Sequence, residues 1–197
     1  MATLTSLLTD VYTITNRPDL EDATKSAIKS ATLKAHRSDY YSKDIYETGV
    51  DFTTEAYIQS LDYVTLISNF RAFKYFKRVK SATDTEGQFL TILTPEEILD
   101  TYGVQKTDVA YVAGRVLEIK ASVSFRYGLL GCYVNPIVTD AGYTSWVADL
   151  YPYAIIYEAA RILFLSLGDL EEARGMASLV SEEYAILQQS NISDVGY

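Results

Sequence analysis

Helical periodicity at both ends of the chain, with period-two aromatic segments between them, predicts an α+β fold. N-terminal helices and a C-terminal antiparallel helical hairpin form a bundle in this reading, and a β-rich insertion separates them. Three observations carry it. Apolar residues recur at helical spacing over residues 4–12, 20–35 and 150–187; aromatic and β-branched residues alternate over 45–138; and start and stop signals fall between these segments. The expected division is a discontinuous helical core of residues 1–40 and 145–189, an insertion of 41–144 with a short helix near 95–102, and a flexible tail of 190–197.

Leu4, Leu7, Leu8, Val11 and Tyr12 mark a short amphipathic helix that stops before Asn16. Asn16-Arg17-Pro18-Asp19 then supplies an N-cap, a first-turn proline and an acid facing the helix N-terminus. Leu20, Ala23, Ala27, Ile28, Ala31 and Ala35 form the next stripe, with Glu21 and Lys25 as an i,i+4 pair. Strands are expected at Ile45–Phe52, Tyr57–Ile67 and Phe70–Val79, followed by a polar loop over Ser81–Gln88. Thr94-Pro95-Glu96-Glu97 is a capping box that opens a helix ending near Tyr102-Gly103. Strands resume at Val109–Ala113, Arg115–Ser124 and Tyr127–Val138. Leu150, Tyr153, Ala154, Tyr157, Ala160, Phe164 and Leu167 then make one helical face, with Pro152 in the first turn and Gly168 as the stop. Asp169 caps the last helix, whose stripe is Ala173, Ala177, Val180, Tyr184 and Leu187. The near-absence of a linker makes these two helices a hairpin.

Composition removes most familiar chemistry. The 197 residues carry 26 Asp plus Glu against 17 Lys plus Arg, a formal net charge of -9, so a general nucleic-acid binder is disfavoured. A lone cysteine, Cys132, rules out an intramolecular disulfide or a Cys-rich zinc site, and a lone histidine, His36, rules out His-pair metal motifs. No cofactor is expected. No apolar run approaches the roughly 18 to 20 residues of a membrane span, and MATLTSLLTD lacks a basic signal region, so a soluble protein of a reducing compartment is expected. Tyrosine, present 17 times against one tryptophan, favours protein interfaces.

His36 is flanked by Lys34 and Arg37 late in a helix and reads as a surface or helix-terminal residue. Cys132 sits in an apolar strand and reads as a buried, inert thiol. Acid pairs Glu96-Glu97, Glu171-Glu172 and Glu182-Glu183 fall in helical first turns or on solvated faces, and no enzyme is expected. The feature that stands out is Arg71 to Lys80, where Arg71, Lys74, Lys77, Arg78 and Lys80 occur without an acid. Alternation places Phe73, Tyr75, Lys77 and Val79 on one face and Lys74, Phe76, Arg78 and Lys80 on the other. A solvated edge strand, contact with an acidic partner subunit and contact with nucleic acid all remain open. Gln189, Ile192, Val195 and Tyr197 belong to an apolar tail that loses solubility unless a partner buries it.

The stretch Trp146 to Arg161, followed by Leu167-Gly168-Asp169 and a second helix, resembles the C-terminal hairpin of head-to-tail adaptor proteins of tailed bacteriophages, also called connector or head-completion proteins. Ile98 to Val104 and Ala113-Gly114-Arg115 look like parts of the adaptors that carry a β insertion. The resemblance implies a structural virion protein in the neck, assembled from the host cytoplasm into a ring, usually of twelve subunits, beneath the portal protein. It implies a portal-docking tail over Gln189–Tyr197, a β insertion facing tail or nozzle proteins, and transient, non-specific contact with passing DNA. A minor capsid or fibre-attachment protein is the alternative, and a small hydrolase using His36 or the acidic pairs a third.

Overall fold

The computed structural model describes residues 2–98 and 104–195, and the chain divides into two units, Met1–Asp44 with Asn135–Tyr197 and Ile45–Val134. In chain order the elements are α1 (Leu4–Thr15), α2 (Glu21–Arg37), β1 (Ile45–Asp62), α3 (Tyr63–Leu66), β2 (Phe70–Val79), β3 (Gly87–Leu93), β4 (Val109–Ala113), β5 (Val116–Val134), β6 (Ile137–Val138), β7 (Tyr143–Thr144), α4 (Trp146–Leu150), α5 (Pro152–Leu167) and α6 (Leu170–Val195). This is the expected α+β fold, with α5 and α6 packing on the N-terminal helices and the β region closing into a small barrel.

In the helical unit α1 begins at a Thr3–Ser6 capping box and ends on Asn16, whose left-handed φ of 50° a short polar side chain tolerates. Asn16 therefore caps the first helix and not the second, which starts three residues past Pro18 without a side-chain cap. The buried face of α2 is Thr24, Ala27, Ile28, Ala31, Thr32, Ala35 and His36. Thr24, and not the exposed Ala23, lies on it; both threonines bond a carbonyl four residues back, which satisfies the hydroxyls inside the core.

α5 is the axis of this unit and packs against α1, α2, α4 and α6. With neighbours on most sides, its buried set is broad: Ala154, Ile155, Ile156, Glu158, Ala159, Ala160, Leu163 and Phe164. Tyr153 and Leu167, expected inside, are exposed, and so is Leu150 of α4. The single helix expected from Leu150, with Pro152 in its first turn, is preceded by a separate short helix α4, because Pro152 forces a break at Tyr151 and then opens α5. Gly168, at φ 85°, ends it. In α6 Ala173, Val180 and Leu187 are buried, whereas Ala177 is exposed.

The helical unit encloses a carboxylate on α5. Glu158 is 1% exposed, with Lys34 Nζ and Arg161 Nη2 each 2.7 Å from Oε1 and Arg161 Nε 2.9 Å from Oε2. An unpaired buried carboxylate costs several kcal/mol, so both cations are needed. Burial pushes the carboxyl up, but the hydrogen bonds from Arg161 and Lys34 outweigh it and hold the group below the ordinary glutamate range.

In the β unit β5 is the common strand. One edge pairs antiparallel with β1 from Ile45↔Tyr133 to Asp62↔Val116; the other pairs with β4 over Val116–Lys120 and with β2 over Tyr127–Val134. β3 joins β2 to β4, antiparallel to the first and parallel to the second, so β5, β2, β3 and β4 close on themselves. Register shifts in β1 between Asp51 and Ile58 supply the bending this requires. Phe76, Leu90, Ala110, Leu117, Ile119, Phe125 and Leu130 fill the interior with Cys132, whose thiol burial pushes up to about 11. The expected strand end at Tyr63–Leu66 is the short helix α3, capped by Asp62, and the two strands expected over 115–138 are one continuous β5 plus β6. The capping box at Thr94 and Glu97 is present on a single 3-10 turn, Pro95–Glu97, with Ile98 as its C-cap; residues 99–103 of the expected helix lie outside the described residues.

Gly128 faces the barrel interior, where an added Cβ would stand 2.3 Å from Cζ of Phe76, a residue with no exposed surface. Overpacking of this kind costs about 1–3 kcal/mol. Gly128→Ala is expected at the upper end of that range, read as a lowered midpoint in urea denaturation. For Glu158 the depressed carboxyl contributes stability above the unfolded pKa, and the contribution is lost as pH falls through the folded value. Glu158→Gln is therefore expected to cost about 2 kcal/mol near pH 7 and much less near pH 3, measured by denaturation at both.

Candidate partner interface and a buried polar cluster

The five basic residues of the β2 segment are separated by the way the strand pairs. Between Phe70 and Tyr75 the partner register skips Arg71 and Lys74, which are the extra residues of two bulges. The bulge at Lys74 shifts the phase of the strand. Phe73 packs inward against Tyr63 and Phe70, and Phe76 lies at the centre of the barrel, while Tyr75 and Lys77 point outward. Phe73 and Tyr75 thus do not share a face as simple alternation requires. Nor is β2 a plain edge strand, since Phe76–Val79 lie between β5 and β3.

On the outward face the cations are interleaved with rings. Lys74 Nζ lies 5.5 Å from the Tyr133 ring centroid, and Lys77 Nζ lies 5.3 Å from those of Tyr75 and Phe89. Tyr75 lies across Gly131, where a Cβ would meet its ring at 2.4 Å, and its hydroxyl donates to Glu47 Oε2 of β1. Burial first, then that bond, pushes the phenol up to about 12. Lys77 Nζ forms an ion pair with Glu47 at 3.6 Å, and Phe89 completes the row at 60% exposure.

Arg78 points to the other side, into a seam. Residues 121–126 of β5 lie between its β4 and β2 pairings, and side chains satisfy the backbone there. Arg78 Nη1 donates to the Val123 carbonyl at 3.4 Å, Gln59 Nε2 to the Phe125 carbonyl at 3.0 Å, and the Ser122 amide to Asp108 Oδ1 at 2.9 Å. Arg78 Nη2 also donates to Gln88. Asp108 holds a left-handed φ of 58° to reach Ser122. Burial raises its carboxyl, yet the bonds from Ser122 and the charge of Arg78 leave it below the ordinary aspartate range. A cleft of ≈ 990 Å³ opens over this seam, lined on its charged side by Arg78, Lys80, Arg126, Glu55, Asp84 and Glu86. Mixed charges and strand backbone suit an extended polypeptide better than a phosphate chain.

In the C-terminal segment Gln189 is exposed on α6, and the backbone at Ile192 and Val195 is helical, in place of the flexible tail expected from Ser190; Tyr197 lies outside the described residues. Asn191 anchors this end: its Nδ2 donates to Asp39 Oδ2 at 3.3 Å, and its Oδ1 accepts from the Ser42 amide at 3.3 Å.

His36 overturns its expected surface placement. It is 2% exposed, with Nδ1 2.7 Å from Asp44 Oδ1 and Nε2 2.9 Å from Ser145 Oγ. Trp146 Nε1 donates to the same Asp44 oxygen at 2.7 Å, and its ring meets the imidazole edge-on at 5.4 Å. Ser145 Oγ accepts from the Ala148 amide as the cap of α4. The bonds run in the order serine, histidine, aspartate that activates a nucleophile. Ser145 is 8% exposed and already occupied as a cap. The signal was present in the sequence: position 36 continues the i+4 row Ile28, Thr32 that lies on the buried face.

Two outcomes follow for this cluster. His36→Ala is expected to cost about 3 kcal/mol, since it leaves a cavity and removes the bonds to the buried Asp44 and Ser145, and to change the emission of Trp146, the sole tryptophan. A fluorophosphonate probe is expected to leave Ser145 of the folded wild-type protein unlabelled, read by peptide mass spectrometry.

No family model matches the chain, and no curated protein matches it.

Proposed function

We propose that the chain is a structural virion protein, a head-to-tail adaptor that forms a ring, by resemblance of twelve subunits, beneath the portal protein of a tailed bacteriophage. It extends the DNA channel and provides the attachment site for tail or nozzle proteins, in the neck of the virion after assembly in the host cytoplasm. The observation that carries this reading is the architecture: a discontinuous helical unit built on the α5–α6 hairpin, interrupted by a small barrel, in the segment order that resembles such adaptors. Surface composition supports it. Tyr40, Tyr46, Tyr57 and Tyr153 are 48 to 60% exposed, a cost without a partner to cover them. The net charge of -9 suits a conduit along which DNA slides.

A hydrolase is favoured by one observation, the bond order of Ser145, His36 and Asp44. Its burial argues for a structural clasp, and labelled Ser145 would reverse that judgement. The adaptor reading predicts that purified protein mixed with its cognate portal gives stacked rings in electron microscopy, and that deleting Gln189–Tyr197 abolishes them. Normal docking by the truncated chain removes the tail assignment. Failure of the intact chain to associate with portal or tail proteins removes the function.

A further inference from the structure

We infer that neighbouring copies of this chain join head to tail, the tip of the α5–α6 hairpin of one docking on the outward face of β2 and β3 of the next. The inference rests on the self-association in the proposed function and names its two surfaces. At the tip, three leucines within six residues are exposed, Leu165 at 45%, Leu167 at 37% and Leu170 at 56%. A cluster of this density at a helix–helix turn is the kind of apolar patch that marks an interaction site. Glu171 and Glu172 beside it are exposed and form no ion pair among the described residues.

The complementary surface is on the same chain. Phe89 is 60% exposed, next to Tyr75, and Lys74 is exposed above Tyr133. One surface is aliphatic with acids and the other aromatic with the exposed Lys74, while Lys77 beside it is paired with Glu47, so apolar contact and the charge of Lys74 agree in the same docked pair. A nucleic acid stacked on the aromatic rings would leave the leucines uncovered. A second copy covers both. Because the two surfaces differ, the contact is heterologous, and repeating it builds a ring where the rotation closes.

The test measures self-association of the full chain by sedimentation velocity in low and high salt. Wild-type association is expected to weaken as salt rises. Glu171→Lys with Glu172→Lys is expected to weaken it roughly tenfold, as is Lys74→Glu, and combining the three in one chain is expected to restore it. Leu170→Ser and Phe89→Ser, both at exposed positions, are expected to weaken it without altering the circular dichroism spectrum. Association unchanged by all these variants overturns the assignment, as does a wild-type chain that stays monomeric at low salt, or a K74E variant whose only defect is binding to single-stranded DNA. Rings on the portal that survive every variant leave the adaptor reading standing while removing these surfaces; no association with the portal removes the adaptor reading itself.

Discussion

The polar cluster around His36 is the constraint on which the helical unit depends. The chain leaves that unit at Asp44 and returns at Asn135 after the 45–134 excursion. Closing a loop of that length costs about 4 kcal/mol in chain entropy on a simple ring-closure estimate. The returning segment is fastened along α2 at four places: Arg37 Nε to Asn135 Oδ1 at 3.1 Å, Lys29 to Asp140 at 2.6 Å, Thr32 to Tyr143 at 2.7 Å, and His36 to Ser145. At roughly 1 kcal/mol net for each hydrogen bond away from solvent, the Thr32–Tyr143 and His36–Ser145 bonds offset part of that closure. Only the last fastening also holds Asp44, the exit point, so His36 joins the outgoing and incoming chain at one imidazole. That explains why a histidine with the bond order of a catalytic residue lies sealed under Trp146.

How much of this the sequence disclosed depends on the range of the interaction. The α+β class, the helix stop at Gly168 and the Thr94 capping box are local, and local patterns reveal them. Asn16 was misassigned for a local reason as well: asparagine serves either helix end, and only its φ of 50° decides between them. The placement of His36 needs partners 8 and 109 residues away, and that of Glu158 needs Lys34 from another helix. No periodicity encodes those pairings. The phase of β2 was lost because each bulge inserts one residue and turns every later side chain over. Simple alternation from Phe73 onward takes Lys74 as a paired residue, whereas Lys74 is the one that breaks the pattern.

The bulges also explain how a run of five cations coexists with a folded barrel. An unbroken strand would bring Lys74, Phe76 and Arg78 onto one face, against the core that Phe76 must fill. Displacing Lys74 lets Phe76 enter beside Gly128 while Lys74 settles on Tyr133. The two glycines of β5 do complementary work: Gly128 admits Phe76 on the inside, and Gly131 admits Tyr75 on the outside, where it reaches Glu47. The positive charge that results is held in discrete cation–ring and ion-pair contacts and does not form a continuous phosphate-binding stripe.

Charge is divided unequally between the two units. The helical unit holds 15 of the 26 acidic residues but 8 of the 17 basic ones, so -7 of the net -9 belongs to it. The β unit, at -2, is close to balanced and carries the cation–aromatic face and the mixed-charge cleft. A repelling field over the helices opposes adhesion of a polyanion, whereas near-neutrality on the barrel permits close contact with other protein surfaces. A two-fold contact through the helical unit would set like charge against like charge, whereas the heterologous contact we propose would set the acidic hairpin of one copy against the basic strand of the next.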